Sequence, residues 1–144
     1  MLMNNINIFV YGSLREGFFN YDKYLKGKVI KNIPAVLEGM DLYHMPYKGY
    51  PAIVPNEHSK VFGEIVVVKD YDETIRDIDE MEGVIDHRHP ENEYHKELLT
   101  VKHLDTGIKE DCYVYFYNLD NDSIFNEKAI HIPDGDWKKY MLNK

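Results

Sequence analysis

The sequence predicts an α+β fold in which a mixed sheet, or a small barrel, is flanked by helices. Most of the chain falls into apolar stretches typical of strands, with turn-forming residues between them. A single main helix, Asp70–Glu82, interrupts these strands midway. No repeat, low-complexity tract or linker divides the 144 residues, so we expect one domain over residues 1–144.

Composition excludes several classes of function. Hydrophobic residues make up 44% of the chain and charged residues 29%, which is enough to build a core. The formal net charge of −8 argues against a surface that binds nucleic acid or an anionic membrane. The first residues lack a basic segment, and the longest aliphatic run is only Ile65–Val68. We therefore expect a cytoplasmic protein with no signal peptide and no membrane span.

The first half of the chain is predicted to contain four strands, which are Ile6–Tyr11, Val29–Tyr43, Ala52–Val54 and Val61–Lys69. Gly39 indicates a bulge in the second of them. A short helix is expected at Asn20–Leu25, with Asn20 as its N-cap. Two polar or turn-rich stretches, Tyr47–Pro51 and Pro55–Lys60, are predicted to be loops.

The main helix has recognisable ends. Asp70 is predicted to cap its N-terminus, with Glu73 reaching back as in a capping box. Gly83 is expected to end the helix, because glycine adopts a left-handed conformation at little cost.

A carboxylate lies on the apolar face of this helix. At about 100° per residue, Glu82 falls in the same stripe as Tyr71, Ile75 and Ile78. Burial and the negative end of the helix dipole would both raise the pKa of Glu82 toward the range of a general base. The alternative is that Glu82 turns outward from a frayed last turn.

The second half begins with a polar segment, Val84–Glu93, that is long enough to lie over a site. Tyr94–Leu104 and Ile108–Tyr117 are then predicted to form a hairpin. Residues 118–127 are expected to be a loop. A short strand at Ile130–Pro133 and a terminal helical turn capped by Asp136 should follow.

In the second hairpin strand, alternate residues face opposite sides of the sheet. Tyr113, Tyr115 and Tyr117 share one face, while Cys112 lies on the other. The three tyrosines could line a cavity or form an exposed sheet face. Cys112 is the one cysteine of the chain, and we expect a buried, reduced thiol.

Two further stretches could carry chemistry. The turn Tyr11–Arg15 follows the first strand and would expose backbone amides to an anion, although it lacks the spacing of a phosphate loop. His87 and His89, with Asp86, Glu91 and His95 nearby, could bind a divalent metal. Histidines in loops are more often solvated, and we expect neither a metal site nor a cofactor.

Several segments together resemble the gamma-glutamylcyclotransferase-like, or AIG2-like, family. The segment Phe9–Arg15 resembles its strand followed by Tyr-Gly-Ser/Thr-Leu, and Ile78–Gly83 resembles its Leu-Asp-x-x-Glu-Gly helix end. Gly49–Ile53, Val61–Ile65 and Gly135–Trp137 resemble further family segments in the same order. One departure is Lys96, where the family often has arginine in a Tyr-x-Arg motif, and lysine lacks the bidentate fork.

The resemblance implies a small mixed barrel with flanking helices, a cavity at one end, and conversion of a gamma-glutamyl amide to 5-oxoproline and a free amine. It assigns the acid/base role to Glu82 and implies a small gamma-glutamyl substrate, no cofactor and no metal. The implied substrate-binding residues are Tyr11, Gly12, Ser13, Leu14, Arg15, Tyr50 and Tyr115. Amides of the turn would bind either the substrate carboxylate or the developing oxyanion.

Two other functions stay open from the residues alone. One is a non-catalytic protein that binds a small ligand on the same fold. The other is a metal-dependent hydrolase built on the histidine segment. Neither the released amine nor the oligomeric state follows from the sequence.

Overall fold

The computed structural model describes residues 5–143 and contains a closed five-stranded barrel with helices around it. The strands are β1 (Ile8–Val10), β2 (Val29–Met45), β3 (Tyr50–Val68), β4 (Tyr94–His103) and β5 (Lys109–Tyr117). Their order is β3-β1-β5-β4-β2, and pairing of β2 with β3 closes the ring. The β1–β5 pair is parallel, while the other barrel pairs are antiparallel. The predicted α+β fold with a mixed barrel is confirmed. The expected absence of a signal peptide concerns residues at the N-terminus that lie largely outside the described range.

The remaining elements lie outside this ring. A short strand, β6 (Ile130–His131), pairs with β2. The helices are a single π-helical turn at Tyr21–Leu25, α1 (Tyr71–Met81), a 3-10 turn at Leu119–Asn121, α2 (Phe125–Lys128) and α3 (Trp137–Leu142). None of the helices in the described part of the chain is long and apolar enough to cross a membrane.

The β2 and β3 strands, which form a hairpin, are longer than the strands predicted for this part of the chain. The loop expected at Pro55–Lys60 is wrong, because β3 runs through it without a break. Pairing shifts register between Glu38 and Met40, where Gly39 has a φ of +88°, so the predicted bulge is confirmed. Asn56 Nδ2 donates to Asp41 Oδ2 at 3.2 Å, which satisfies polar side chains along the strand that the sequence suggested for a loop.

Two apolar clusters hold the barrel and its helices together. One draws on all five barrel strands, through Phe9, Ala35, Val61, Val101 and Val114 among others. The second contains the other face of β1 and β5 and the apolar stripe of α1. The predicted alternation along β5 is confirmed, since Cys112 belongs to the first cluster and Tyr115 and Tyr117 to the second.

The helix ends differ from prediction in part. Asp70 makes no side-chain cap and instead adopts a φ of +51°, because the chain turns there from β3 into α1. The capping box with Glu73 is therefore wrong, and Thr74 Oγ1 donates to Lys69 O at 3.0 Å. Asp136 caps α3 as predicted, accepting from Lys139 N at 3.0 Å. The loop expected over residues 118–127 in fact contains the 3-10 turn and part of α2.

Candidate functional site

A tight turn follows β1 at the end of the barrel. Arg15 N donates to Gly12 O at 2.9 Å, which closes the turn Gly12–Arg15. Among residues 5–143, no hydrogen bond uses the backbone N–H of Ser13 or Leu14. A β-carbon on Gly12 would lie 2.7 Å from Pro51 Cγ, so only glycine lets the turn pack this closely against β3. The turn therefore presents unpaired donors, as an anion site requires.

The turn is held from behind by the start of the π-helical turn. Asn20 Nδ2 donates to Ser13 Oγ at 2.8 Å, and Tyr21 N donates to Ser13 O at 3.1 Å. The predicted N-cap role of Asn20 is wrong, since its side chain makes no cap hydrogen bond. Its amide orients Ser13 instead.

A cavity lies beside this turn, and Arg15 is not among the residues that line it. Its guanidinium donates through Nε to Glu64 and through Nη1 to Asp136 Oδ1, the latter at 2.9 Å. Glu64 is buried on β3, and Asp136 caps α3. Arg15 therefore ties the turn to the barrel and to the last helix.

Glu82 is positioned by backbone pairing at the C-terminal end of α1. Its N–H donates to Ile78 O at 2.9 Å, and its carbonyl accepts from Tyr94 N at 3.0 Å. Gly83 follows with a φ of +70°, as predicted, and its carbonyl accepts from Glu93 N at 3.1 Å. These bonds fasten the end of the helix to the start of β4, so Glu82 does not lie on a frayed turn.

Glu82 and the turn after β1 line one cavity of about 50 Å³. This is small beside the roughly 300–1,000 Å³ of sites for drug-sized ligands, and suits one slender group. All the predicted site residues except Arg15 line it, and they are Tyr11, Gly12, Ser13, Leu14, Tyr50, Glu82 and Tyr115. The other lining residues, none of which was predicted as a site residue, are Phe9, Val10, Asn20, Pro51, Met81, Glu93 and Tyr94.

Of the segment expected to lie over the site, only Glu93 lines the cavity. The fully buried side chain of Asn92 fixes the conformation of the remaining part of this segment. Ile85 N donates to Asn92 Oδ1 at 2.6 Å, and Asn92 Nδ2 donates to Asp86 O at 2.8 Å. Lys48 Nζ lies 3.3 Å from the Glu93 carboxylate, and both side chains are partly exposed.

The environment of Glu82 favours its protonated form. Burial raises the pKa of its carboxyl to about 8, and the charges of Glu93 and Asp79 add to this. A carboxyl with this pKa can accept and return a proton near neutral pH. The predicted direction of the shift agrees with this environment, and two neighbouring carboxylates, which the sequence did not suggest as partners, contribute to it.

Asp79, one helical turn before Glu82, carries a separate network. Tyr115 Oη donates to Asp79 Oδ1 at 2.6 Å, and Lys96 Nζ donates to Asp79 Oδ2 at 3.1 Å. Lys96 also lies 4.4 Å from the ring centroid of Tyr113. Lys96 stands where the family often has arginine. It donates to one oxygen of the Asp79 carboxylate, and Tyr115 donates to the other.

The histidine segment shows no metal-binding arrangement. His87 Nε2 lies 3.4 Å from Glu97 Oε1, and His89 Nδ1 accepts from Glu91 N at 3.0 Å. Across the described range 5–143, no group of three or more His, Cys, Asp or Glu could hold a metal ion. Cys112 is buried, and burial raises the pKa of its thiol to about 12, which suits a core residue and not a nucleophile.

Comparison with known proteins identifies relatives along nearly the whole chain. Residues 8–139 match the family model described as gamma-glutamyl cyclotransferase, AIG2-like. A protein of Methanocaldococcus jannaschii, named provisionally as a gamma-glutamylcyclotransferase, is 32% identical over 136 residues, covering 92% of this chain and 96% of that protein. AIG2-like protein C of Arabidopsis thaliana is 30% identical over 122 residues, covering 84% of this chain and 64% of that protein.

Solved structures share the fold. The crystal structure of an AIG2-like protein from Mus musculus has a TM-score of 0.67 at 22% identity, covering 88% of this chain and 85% of the other. An uncharacterised protein from Pyrococcus horikoshii has a TM-score of 0.60 at 24% identity, covering 96% and 95%. The resemblance of the motifs is thus confirmed along the sequence and in the fold. The chain belongs to the gamma-glutamyl cyclotransferase, AIG2-like family.

Proposed function

We propose that the protein is a gamma-glutamyl cyclotransferase, which converts a gamma-glutamyl amide to 5-oxoproline and a free amine. The observation that carries the proposal is Glu82 lining the same cavity as the amide-bearing turn Gly12–Arg15. The family and the name of the archaeal relative support a cyclotransferase. The 5-oxoproline product and the gamma-glutamyl substrate are our inference from the chemistry of this site.

The reaction needs one proton carrier. Glu82, in its ionised form, takes a proton from the α-ammonium group of the substrate, and the resulting amine attacks the γ-carbonyl carbon. A new C–N bond closes the five-membered ring, and the original amide C–N bond breaks. Glu82 returns this first proton to the leaving nitrogen as the amide bond breaks. The ring nitrogen still holds one extra proton, which Glu82 passes to the released amine, so the amine departs as an ammonium ion and the carboxylate ends as it began. Because the substrate supplies the nucleophile, the mechanism requires no cofactor.

The cavity also orients the substrate, in addition to supplying the Glu82 carboxyl. Intramolecular reactions held in the right geometry reach effective molarities of about 10⁵–10⁸ M. A small cavity favours a folded substrate with its amine against its own carbonyl. The leaving amine would then lie toward the rim near Glu93 and Lys48.

The experiment is a panel of gamma-glutamyl dipeptides and gamma-glutamyl amines, with 5-oxoproline measured as product. We expect Glu82→Gln to lower kcat by about 10²–10⁴-fold, which is the usual cost of losing a general acid/base. Glu80→Gln is the matched control, since Glu80 lies exposed on the last turn of the same helix. Wild-type turnover in Glu82→Gln would refute the mechanism. Ligand-dependent thermal stabilisation without any product would favour the non-catalytic binding protein.

A further inference from the structure

The start of the last helix bonds to the turn beside the cavity and to the residue that follows it. Asp136 Oδ1 accepts from Arg15 Nη1 at 2.9 Å, and Lys138 Nζ donates to Glu16 O at 2.7 Å. Arg15 is the last residue of the turn, and its N–H donates to Gly12 O at 2.9 Å. The helix α3 therefore contacts the turn from outside, since the lining residues found between positions 5 and 143 include none from α3.

This end of α3 is anchored to the barrel independently of those contacts. Gly135 O accepts from Phe62 N on β3 at 2.8 Å. Trp137 is 2% exposed, and its Nε1 donates to His44 Nδ1 on β2 at 3.0 Å. Asp136 lies between these two anchored residues, so the barrel holds its carboxylate in place.

Arg15 connects this carboxylate to the barrel wall. Its guanidinium donates to Glu64 through Nε and to Asp136 through Nη1, and the side chains of Arg15 and Glu64 are each only 12% exposed. Glu64 lies opposite Val10, the last residue of β1. A guanidinium can bond both carboxylates at once because its donors point in fixed directions. The end of the turn is thus fixed between β3 and α3.

The turn needs such support because the donors that it presents are unpaired. The N–H groups of Ser13 and Leu14 make no hydrogen bond among the described residues. Donors that bind an anion or a developing oxyanion are most effective when they are already oriented, since they need not reorganise when the ligand binds. Contacts that hold the turn from behind therefore influence how well it binds.

We propose that Asp136 is a positioning residue for substrate binding, which acts through Arg15 on the orientation of the N–H groups of Ser13 and Leu14. This inference rests on the proposed function, and it adds the C-terminal helix to the elements that determine activity. Asp136 does not touch the substrate. Its carboxylate holds the guanidinium of Arg15, and Arg15 holds the end of the turn.

The test is Asp136→Asn, which removes the charge and keeps the helix cap. Asparagine is as good an N-cap as aspartate, so Lys139 N keeps its acceptor and α3 stays folded. We expect kcat/KM for the best gamma-glutamyl substrate to fall by about 10-fold, within the 10²-fold that a misplacement of about 1 Å can cause.

Asp134→Asn is the matched control. Asp134 lies two residues before Asp136, is half exposed and pairs with Lys139 at 3.4 Å. The control removes the same charge from the same end of the helix but leaves the partner of Arg15 in place. Exposed ion pairs contribute little, so its kcat/KM should stay within about twofold of wild type. Equal kcat/KM in Asp136→Asn and Asp134→Asn would overturn the proposal.

A double-mutant cycle tests whether Asp136 acts through Arg15. Arg15→Gln keeps a donor for Glu64 but removes the charge and the fork that bonds two carboxylates. In the Arg15→Gln background, Asp136→Asn should change kcat/KM by less than about twofold. A further 10-fold loss there would show that Asp136 acts by another route.

Hydrogen exchange of the Arg15 amide reports on the turn without any substrate. This N–H closes the turn, so we expect it to exchange about 10-fold faster in Asp136→Asn than in wild type or Asp134→Asn, the scale of a hydrogen bond to a charged group. Amides of β5 should keep their protection. Unchanged exchange at Arg15 would overturn the positioning role. Faster exchange in a protein whose wild type forms no 5-oxoproline would keep the positioning of the turn and refute the proposed function.

Discussion

At the scale of single residues, the raised pKa of the Glu82 carboxyl makes folding stability depend on pH. Its folded pKa of about 8 exceeds the ordinary carboxyl value of 4.5. Between these two pH values the folded protein binds one more proton at this site than the unfolded chain does. Folding stability from this group is therefore fully present below about pH 4.5 and is lost as the pH rises through 8. A general base of this kind costs stability in the pH range where it works.

Glu82→Gln should for this reason stabilise the protein at alkaline pH. We expect its gain in the free energy of unfolding to be larger at pH 8.5 than at pH 4.5 by on the order of 3 kcal/mol. This is less than the full pKa shift implies at ~1.4 kcal/mol per unit, because Glu82 is only half-buried. Urea denaturation at both pH values measures it. Glu80→Gln should show no comparable pH dependence, and an equal gain at the two pH values would contradict the assignment.

At the scale of elements, the junction between α1 and β4 holds the end of the helix at the cavity. Gly83 has a φ of +70°, and a β-carbon there would lie 2.8 Å from the Glu93 β-carbon. Substitution would therefore add backbone strain and also push β4 away from the helix. Since Tyr94 at the start of β4 and Glu93 just before it both line the cavity, the movement would reach the site.

We expect Gly83→Ala to lower both stability and kcat/KM. Gly107→Ala is the matched control, because Gly107 has a similar φ of +74° in the β4–β5 turn and nothing within 4 Å of its β-carbon. Strain alone should cost about 1–2 kcal/mol in the control, with activity retained. Thermal unfolding and steady-state kinetics on both variants separate the two effects. Equal losses in the two variants would show that packing against Glu93 has no influence on the site.

Elements with a strong local pattern could be predicted from the sequence. The apolar stripe of α1, the β4–β5 hairpin and the Gly39 bulge all follow from spacing within a few residues. Asn56 in the middle of β3 could not be placed, because polar composition does not distinguish a loop from an irregular strand whose side chains bond across the pair. Asp70 failed as a cap because its left-handed backbone depends on how β3 meets α1.

The candidate site divides in the same way. Glu82 and the Gly12–Arg15 turn carry local signals, whereas Tyr94 enters the cavity through pairing with the end of α1. Arg15 shows the limit most clearly: its partners Glu64 and Asp136 lie 49 and 121 residues away. The motif places Arg15 in the turn, but only the closed barrel determines which way its side chain points.

At the scale of the whole molecule, barrel closure and site assembly depend on the same short strand. β1 has three residues, which pair antiparallel with β3 and parallel with β5, and the cavity turn follows directly. Gly63 lies where β3 passes β1. A β-carbon on Gly63 would lie 2.1 Å from Val10 O, too close for any heavy-atom contact. The contact between β1 and β3, the β1–β3 seam, can therefore form only if residue 63 is glycine.

Gly63→Ala should open this seam and remove fold and activity together. We expect a loss of about 4 kcal/mol or more in the free energy of unfolding, in the range of severe steric changes. Gly39→Ala, in the partner strand of the same hairpin, has no atom within 4 Å of its β-carbon and should cost only its backbone strain. Hydrogen exchange should show β1 and β5 amides losing protection in Gly63→Ala but keeping it in Gly39→Ala. Retained β1 protection in Gly63→Ala, with wild-type activity, would mean that the barrel tolerates a wider seam and that the turn is positioned by Arg15 and Asn20 without help from β1.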